Sequence, residues 1–344
     1  MERLYDKLKA YSESDFYAFH MPGHKRNKAL LGIELPYDLD ITEIDGFDDL
    51  HHADGILKEE QERAARVFGA EESHFLVNGS TAGILSAVMG CTHRGDKILV
   101  ARHCHKSIYH AIYMNGLVPR YVYPEFDISM HMNGEISKED VAKALAAEPD
   151  IKAVVIVSPN YDGVVSDVKG IAEVAHSYRI PLIVDEAHGP HFGFHPAFPG
   201  RANDLGADVV INSLHKTLPS LTQTAILHIN GKIVNRRRIK KYLDMLQSSS
   251  PSYIFMASLD ACVDFVDGKC ENAFELYVER LQKFREELEP LQHLQILRTE
   301  HYDISKVVIS TANANITSPE LADRLRKEYH LEMEMTGGTY VLAM

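Results

Sequence analysis

Apolar residues in this chain fall into short uninterrupted runs, separated by longer stretches in which they recur every three or four positions. The runs at 73–77, 97–101, 119–123, 153–157, 180–184, 207–211 and 224–229 read as strands. Those at 180–184 and 207–211 lack alternation, as strands buried on both faces do. Helical spacing predicts helices over 78–89, from 106 to about Asn115, and over 137–147, 167–177 and 232–246. Ahead of the first strand, Leu4, Tyr5, Leu8 and Tyr11 mark a helix within 1–12. An amphipathic helix over 55–68 stops at Gly69, a residue type suited to a left-handed cap. This alternation predicts a doubly wound, three-layer α/β/α unit with a mostly parallel sheet. After two further helices, 252–266 and 271–288, the pattern changes to short strands at 294–298 and 307–310, one helix at 319–328 and a strand pair around Gly337 and Gly338. The expected division is therefore a major unit over 1–269 and a smaller α+β unit over 270–344.

In a sheet of this kind, ligands sit in the crevice beyond the strands' carboxyl ends. Val184-Asp185-Glu186-Ala187-His188-Gly189 closes one buried run, and Ser213-Leu214-His215-Lys216-Thr217 follows the next. An Asp at one strand tip and a Lys just past another are the two groups a pyridoxal 5'-phosphate (PLP) enzyme needs. The lysine amine forms the Schiff base, and the carboxylate keeps the pyridine nitrogen protonated so that the ring acts as an electron sink. Asn78-Gly79-Ser80-Thr81-Ala82-Gly83, between a strand and a helix, suits an anion: Gly79 permits the tight turn, and Ser80 and Thr81 add hydroxyls to the free N–H groups of the helix start. The same residues would also serve as a plain helix cap. His105, past another strand end, can stack on a cofactor ring or merely cap the next helix.

Rival chemistries meet obstacles. Asp-Glu-Ala-His is also the Walker B form of one helicase group, but no G-x-x-x-x-G-K-[ST] loop precedes it. His188, His191 and His195 follow Asp185 and Glu186 closely enough to suggest a metal. Gly189, Pro190, Gly193 and Pro196 make that stretch a loop without the i, i+4 geometry of H-E-x-x-H, so no metal is expected. A small-molecule binding protein without catalysis would keep the anion cradle but would not need Lys216.

The 344 residues carry 36 Lys plus Arg against 49 Asp plus Glu, a formal net charge of −13, which argues against a nucleic-acid or anionic-membrane partner. The basic helix containing Arg236, Arg237, Arg238, Lys240 and Lys241 reads as a solvated face. Cys91, Cys104, Cys262 and Cys270 form no CxxC pair and fit a reducing cytoplasm. No apolar run approaches the length of a membrane span, so a soluble cytoplasmic protein is expected.

A series of motifs in one order sharpens this picture: HMPGHK at 20–25, TEIDGFDDLHHADG at 42–55, FLVNGSTAGI at 75–84, CHKS at 104–107, PLIVDEAHGPHFGFH at 181–195, SLHKTL at 213–218 and SSSPSY at 248–253. Over roughly 15–265 the chain resembles the major domain of the Orn/Lys/Arg decarboxylases, which are fold-type I PLP enzymes with an aspartate aminotransferase-like architecture. The resemblance implies that Lys216 carries the PLP aldimine, Asp185 pairs with the pyridine nitrogen and His105 stacks on the ring. It implies that Ser80, Thr81 and Ser213, beside Gly79, hold the phosphate, and that His188 and His215 flank the cofactor. It implies a homodimer whose sites are shared, the 248–252 loop reaching the neighbouring subunit's phosphate. The activity implied is decarboxylation of arginine, lysine or ornithine, of the short biosynthetic type that feeds polyamines. The alternatives are another fold-type I activity, such as an aminotransferase or lyase. Relatives continue past the small α+β unit, so the resemblance also implies that this chain stops partway through it, at Met344.

Overall fold

A computed structural model describes residues 2–29, 31–128, 131–297 and 300–344. Its main sheet contains β1 (Glu72–Leu76), β2 (Lys97–Ala101), β3 (Val118–Val122), β4 (Ile151–Val157), β5 (Leu182–Asp185), β6 (Val209–Asn212) and β7 (Ala225–Ile229). They lie in the order β1-β7-β6-β5-β4-β2-β3. Neighbours from β6 to β3 pair parallel, whereas β7 runs antiparallel to both β6 and β1. β1 and β2 are consecutive in sequence yet have β7, β6, β5 and β4 between them, which opens the crevice where ligands settle in such sheets.

Alternation along the strands sorts side chains into two layers. Leu76, Ala225 and Leu227 join the cluster under helices Gly79–Cys91 and Arg236–Leu246. Phe75 and Ile226, one position away, point instead into a second cluster with Leu4, Leu8, Phe68, Tyr253 and Phe274. Every residue of β5, β6 and β7 is buried, in keeping with their unbroken apolar runs.

Some element boundaries differ from those expected. β6 starts at Val209 rather than 207; just before it, the Asp208 carboxylate accepts from Leu182 N–H and contacts His176 Nε2, both at 2.8 Å. The basic helix starts at Arg236 rather than 232, where Asn235 accepts the Arg238 N–H at 3.1 Å as its cap. In the segment TEIDGFDDLHHADG, Asp48 accepts N–H groups from Gly55 and Leu57 at 2.9 Å and so anchors the start of helix Ile56–Val67.

The later residues form a second sheet of β8 (Gln295–Ile296), β9 (Val307–Ser310), β10 (Met335–Thr336) and β11 (Tyr340–Ala343), in the antiparallel order β8-β9-β11-β10. The end of the run expected to reach Arg298 lies outside the described residues. Helix Ser318–Tyr329 flanks this sheet and starts with a reciprocal capping box between Thr317 and Glu320. The second sheet meets the first through the segment after β4. Val164 bridges Tyr302, Val165 N–H donates to His301 O at 3.0 Å, and Tyr340 hydroxyl donates to Asp162 at 2.6 Å. Helix Glu271–Leu288 touches both parts, with Phe274 and Val278 in the second core cluster and Arg285 donating to Ile304 O and Lys306 O.

Candidate active site

A cavity of about 940 Å³ opens at the carboxyl ends of the parallel strands. Its lining includes Gly79, Ser80, Thr81, His105, Asp185, His188, Ser213, His215 and Lys216, so the residues singled out from sequence meet in one place.

Each arrives there for a local reason. Asp185 is the last residue of β5, 2 % exposed, with Oδ1 accepting Ala187 N–H at 3.2 Å. Among the described residues no cation lies within ion-pair distance of it. Burial pushes its carboxyl up to about 6, against the opposing pull of Lys216. Lys216 sits in the short helix Leu214–Thr217 just after β6, and its Nζ is 2.9 Å from His188 Nε2. Burial lowers the affinity of its amine for a proton, opposed by the nearby charges of Asp185 and Glu334.

Gly79 opens helix Gly79–Cys91 with φ +72, a left-handed conformation that side chains other than glycine resist. A Cβ there would meet nothing nearer than Gln223 O at 3.9 Å, so the turn keeps open space above the helix start. Ser80 and Ser213 are hydrogen-bonded to each other through their hydroxyls, which places Ser213 at the first turn of that helix, where N–H groups lack intrahelical partners. His105 is the cap of helix Lys106–Asn115; its Nδ1 accepts Ser107 N–H at 3.3 Å, leaving the rest of the ring facing the cavity. Capping and facing the cavity are compatible, so the two sequence readings of His105 do not compete. His215 is held by Nδ1 at 2.8 Å from Thr224 O.

Glu186 faces away. Its two carboxylate oxygens accept Ala202 N–H at 2.8 Å and Asn212 Nδ2 at 3.0 Å, and it is absent from the cavity wall. His191 and His195 also turn elsewhere: His191 lies between Thr217 and Asp303, and His195 Nε2 contacts Glu275 at 3.0 Å.

The sequence reading passed over His103, Tyr161, Glu334 and Met344 in the cavity wall, and Lys306 behind it. Tyr161 and Glu334 are hydrogen-bonded to each other at the cavity edge. Lys306 is 0 % exposed and lies 3.0 Å from His188 Nδ1. The only sequence signal for it was a charged residue abutting the apolar run Val307-Val308, which periodicity treats as a boundary.

A family model described as Orn/Lys/Arg decarboxylase, major domain, matches residues 3–313. The uncharacterized protein YaaO of Bacillus subtilis is 42% identical over 269 residues, covering 76% of this chain and 56% of its own length. An arginine decarboxylase of Bacillus subtilis is 34% identical over 348 residues, covering 97% of this chain and 71% of its own. Among solved structures, lysine decarboxylase A from Pseudomonas aeruginosa superposes with a TM-score of 0.86 at 24% identity, with all of this chain and 57% of that one covered. The chain thus spans between about half and three quarters of the length of these relatives.

Proposed function

Because the chain belongs to the Orn/Lys/Arg decarboxylase family, we propose that it holds PLP and serves in the decarboxylation of a basic amino acid: arginine, lysine or ornithine. The observation that carries this reading is the convergence of Asp185 and Lys216 on one cavity that also holds the Ser80–Ser213 hydroxyl pair at a helix start. The donor set fits PLP. A buried carboxylate without a touching cation suits a protonated pyridine nitrogen, an amine of lowered basicity suits an aldehyde, and a helix start with paired hydroxyls suits a phosphate.

In this reading Gly79, Ser80, Thr81 and Ser213 hold the phosphate, Asp185 the pyridine nitrogen, and Lys216 the cofactor covalently. When bound, PLP supplies the electron sink that receives the electrons of the broken carbon–carboxylate bond. The chain's own work is orientation. His105 would cover one face of the ring, His188 would steady the Lys216 amine through Nε2, and His215, tied to Thr224 O, would fix the turn that carries Lys216. Glu334 at the cavity edge offers the negative charge that a substrate's distal cation seeks, which supports a basic amino acid. Residues 1–269 would act as the cofactor-holding unit and 270–344 as the unit that closes over the substrate. Polyamine supply is the corresponding role in the cell, and four free cysteines accord with a reducing cytoplasm. Among the described residues no helix is long and apolar enough to cross a membrane.

The test is release of carbon dioxide from each of the three amino acids by the PLP-loaded chain, with an oxo acid offered in parallel. Amino transfer without carbon dioxide would replace decarboxylation with the aminotransferase alternative.

We extend the proposal to a homodimer with shared sites. Ser248 N–H donates to Asn78 Oδ1 at 3.0 Å, which fixes the start of the 248–252 loop, while the side chains of Ser248, Ser249 and Ser250 are exposed and open to a second copy, whose phosphate they would reach. Phe16, Tyr17, Phe19 and Met21 are 66–91 % exposed, an apolar surface that a second copy would cover. Mixing Lys216→Ala subunits with subunits whose 248–252 loop is replaced by glycines is expected to restore part of the activity that each lacks alone, because one hybrid site has both parts intact. Verified mixed dimers without recovery would assign each site to a single chain.

A further inference from the structure

The helix that opens the anion cradle is left without a cap of its own. Asn78 stands at the cap position of helix Gly79–Cys91, and asparagine is among the residue types best suited to accept N–H groups there. Its side chain makes no such bond, and the N–H groups of Ser80 and Thr81 have no acceptor among the described residues. Asn235, the same residue type at the start of helix Arg236–Leu246, does cap, from a backbone with φ −88 and ψ 92. Ser137, Ser252 and Thr317 likewise cap from extended backbone. Asn78 has φ −110 and ψ 26, so its backbone is turned out of the conformation from which a cap side chain reaches back.

Side chains along the free edge of β1 hold that turn. β1 pairs with β7 and ends the sheet, so the N–H and C=O groups on its other side need partners. Gln61 Oε1 accepts Phe75 N–H at 2.9 Å. Gln247 then takes the place of one peptide of a missing strand: its Oε1 accepts Val77 N–H at 2.9 Å, and its Nε2 donates to Phe75 O at 3.4 Å. Gln223 Nε2 donates to Val77 O at 2.6 Å, from a backbone with φ +84, a conformation few residues other than glycine adopt. Val77 is thus gripped through both its N–H and its C=O. Ser248, next to Gln247, gives its N–H to Asn78 Oδ1 at 3.0 Å and so occupies the atom that would otherwise cap the helix.

Gln247 is itself fixed. It closes the C-terminal end of helix Arg236–Leu246, its N–H donating to Leu243 O at 3.1 Å, and it is 9 % exposed. That helix lies directly on helix Gly79–Cys91: a Cβ at Gly90 would stand 2.6 Å from Ile239 Cγ1 and 2.8 Å from Ile239 Cα. The clamp on Val77 and the start of the cradle helix are therefore held by one packed pair of helices.

We propose that Gln247 is a positioning residue for the anion cradle: its grip on Val77, with the Ser248 N–H on Asn78, keeps Asn78 from capping its own helix and leaves the Ser80 and Thr81 N–H groups open to a phosphate. The proposal rests on the reading of Gly79, Ser80 and Thr81 as holders of the PLP phosphate, but its first test needs no cofactor, so the two can fail separately.

Gln247→Met keeps the length of the side chain and removes both its hydrogen bonds. Hydrogen exchange of a fragment spanning Ser80 and Thr81 is followed in the full chain without PLP, by rapid mixing and mass spectrometry. Exchange there should slow about fivefold in Gln247→Met, the scale on which an N-cap side chain holds a helix start, because Asn78 then caps these groups. Adding Asn78→Ala, which cannot cap, should return the faster exchange. A merely structural glutamine would loosen the cradle and speed exchange, so faster or unchanged exchange in Gln247→Met overturns the proposal. In the second measurement PLP should bind about fivefold more weakly to Gln247→Met and recover with Asn78→Ala, while pyridoxal, which lacks the phosphate, binds all three chains alike. Damage to the 248–252 loop alone would leave the double variant as weak as the single one, and that result also overturns the proposal. Should Gln247→Met fail to fold, Gln247→Glu, which keeps an acceptor for Val77 N–H and loses the donor to Phe75 O, is read in the same way.

Discussion

Lys216→Ala is expected to retain the fold, to take up PLP only reversibly, and to lose turnover by roughly three orders of magnitude or more. Lys216 is the only lysine among the described residues in the cavity wall, and its replacement leaves the cofactor's aldehyde without a facing amine. Borohydride treatment followed by mass spectrometry should find PLP fixed to the unaltered chain and none on the variant. A reducible adduct persisting in Lys216→Ala would mean that another amine reaches the cavity. Lys306, 3.0 Å beyond His188, would be the first to examine, and the assignment of Lys216 would fall.

Asp185→Asn should move activity and stability in opposite directions. A neutral amide cannot balance a pyridinium charge, so turnover should fall roughly 10²- to 10³-fold, the usual scale for losing one preorganised electrostatic partner, while PLP remains bound through Lys216 and the phosphate cradle. Without cofactor the same change should stabilise the chain. The Asp185 carboxyl is raised by burial to about 6, above its unfolded value, so its contribution to stability is intact below about pH 4 and is lost as pH rises through 6. An amide does not titrate. Relative to the unaltered chain, Asp185→Asn should therefore show no advantage near pH 4 and an advantage of about 2 to 3 kcal/mol above pH 7, measured by denaturant unfolding without PLP. Near-normal turnover would transfer the role to another acid. Glu186, the adjacent carboxyl, is unsuited to it, because both its oxygens are engaged by Ala202 and Asn212 away from the cavity.

What could be read in advance depended on whether the signal was local. The main strands stood out because a strand buried on both faces needs an unbroken apolar run, and Asp185 and Lys216 stood out because each is an ionisable group at or just past such a run's end. The reversal of β7 was not legible, since its five buried residues satisfy a parallel or an antiparallel ladder alike. Contacts between distant segments were invisible for a different reason. Lys306 meets His188 across 118 positions, and Glu334 meets Tyr161 across 173. Nothing in the immediate surroundings of either residue encodes its partner. His105 and Glu186 lie between these cases: both were noticed as polar residues near strand ends, but only hydrogen-bond directions separate the one that faces the cavity from the one that ties two loops together.

Gly163 carries no functional group, yet it governs how this chain can change by single steps. A methyl group there meets the Lys306 stem at 2.7 Å and the Tyr302 ring at 3.1 Å, in a backbone conformation that alanine already resists. Through Lys306 and His188 the displacement would reach Lys216. Every single-residue path through position 163 thus passes through a form that is strained in its backbone and crowded against Lys306 and Tyr302. A change of Lys306 or Tyr302 would relieve the contact but not the backbone strain, so glycine is held at this position on two separate grounds.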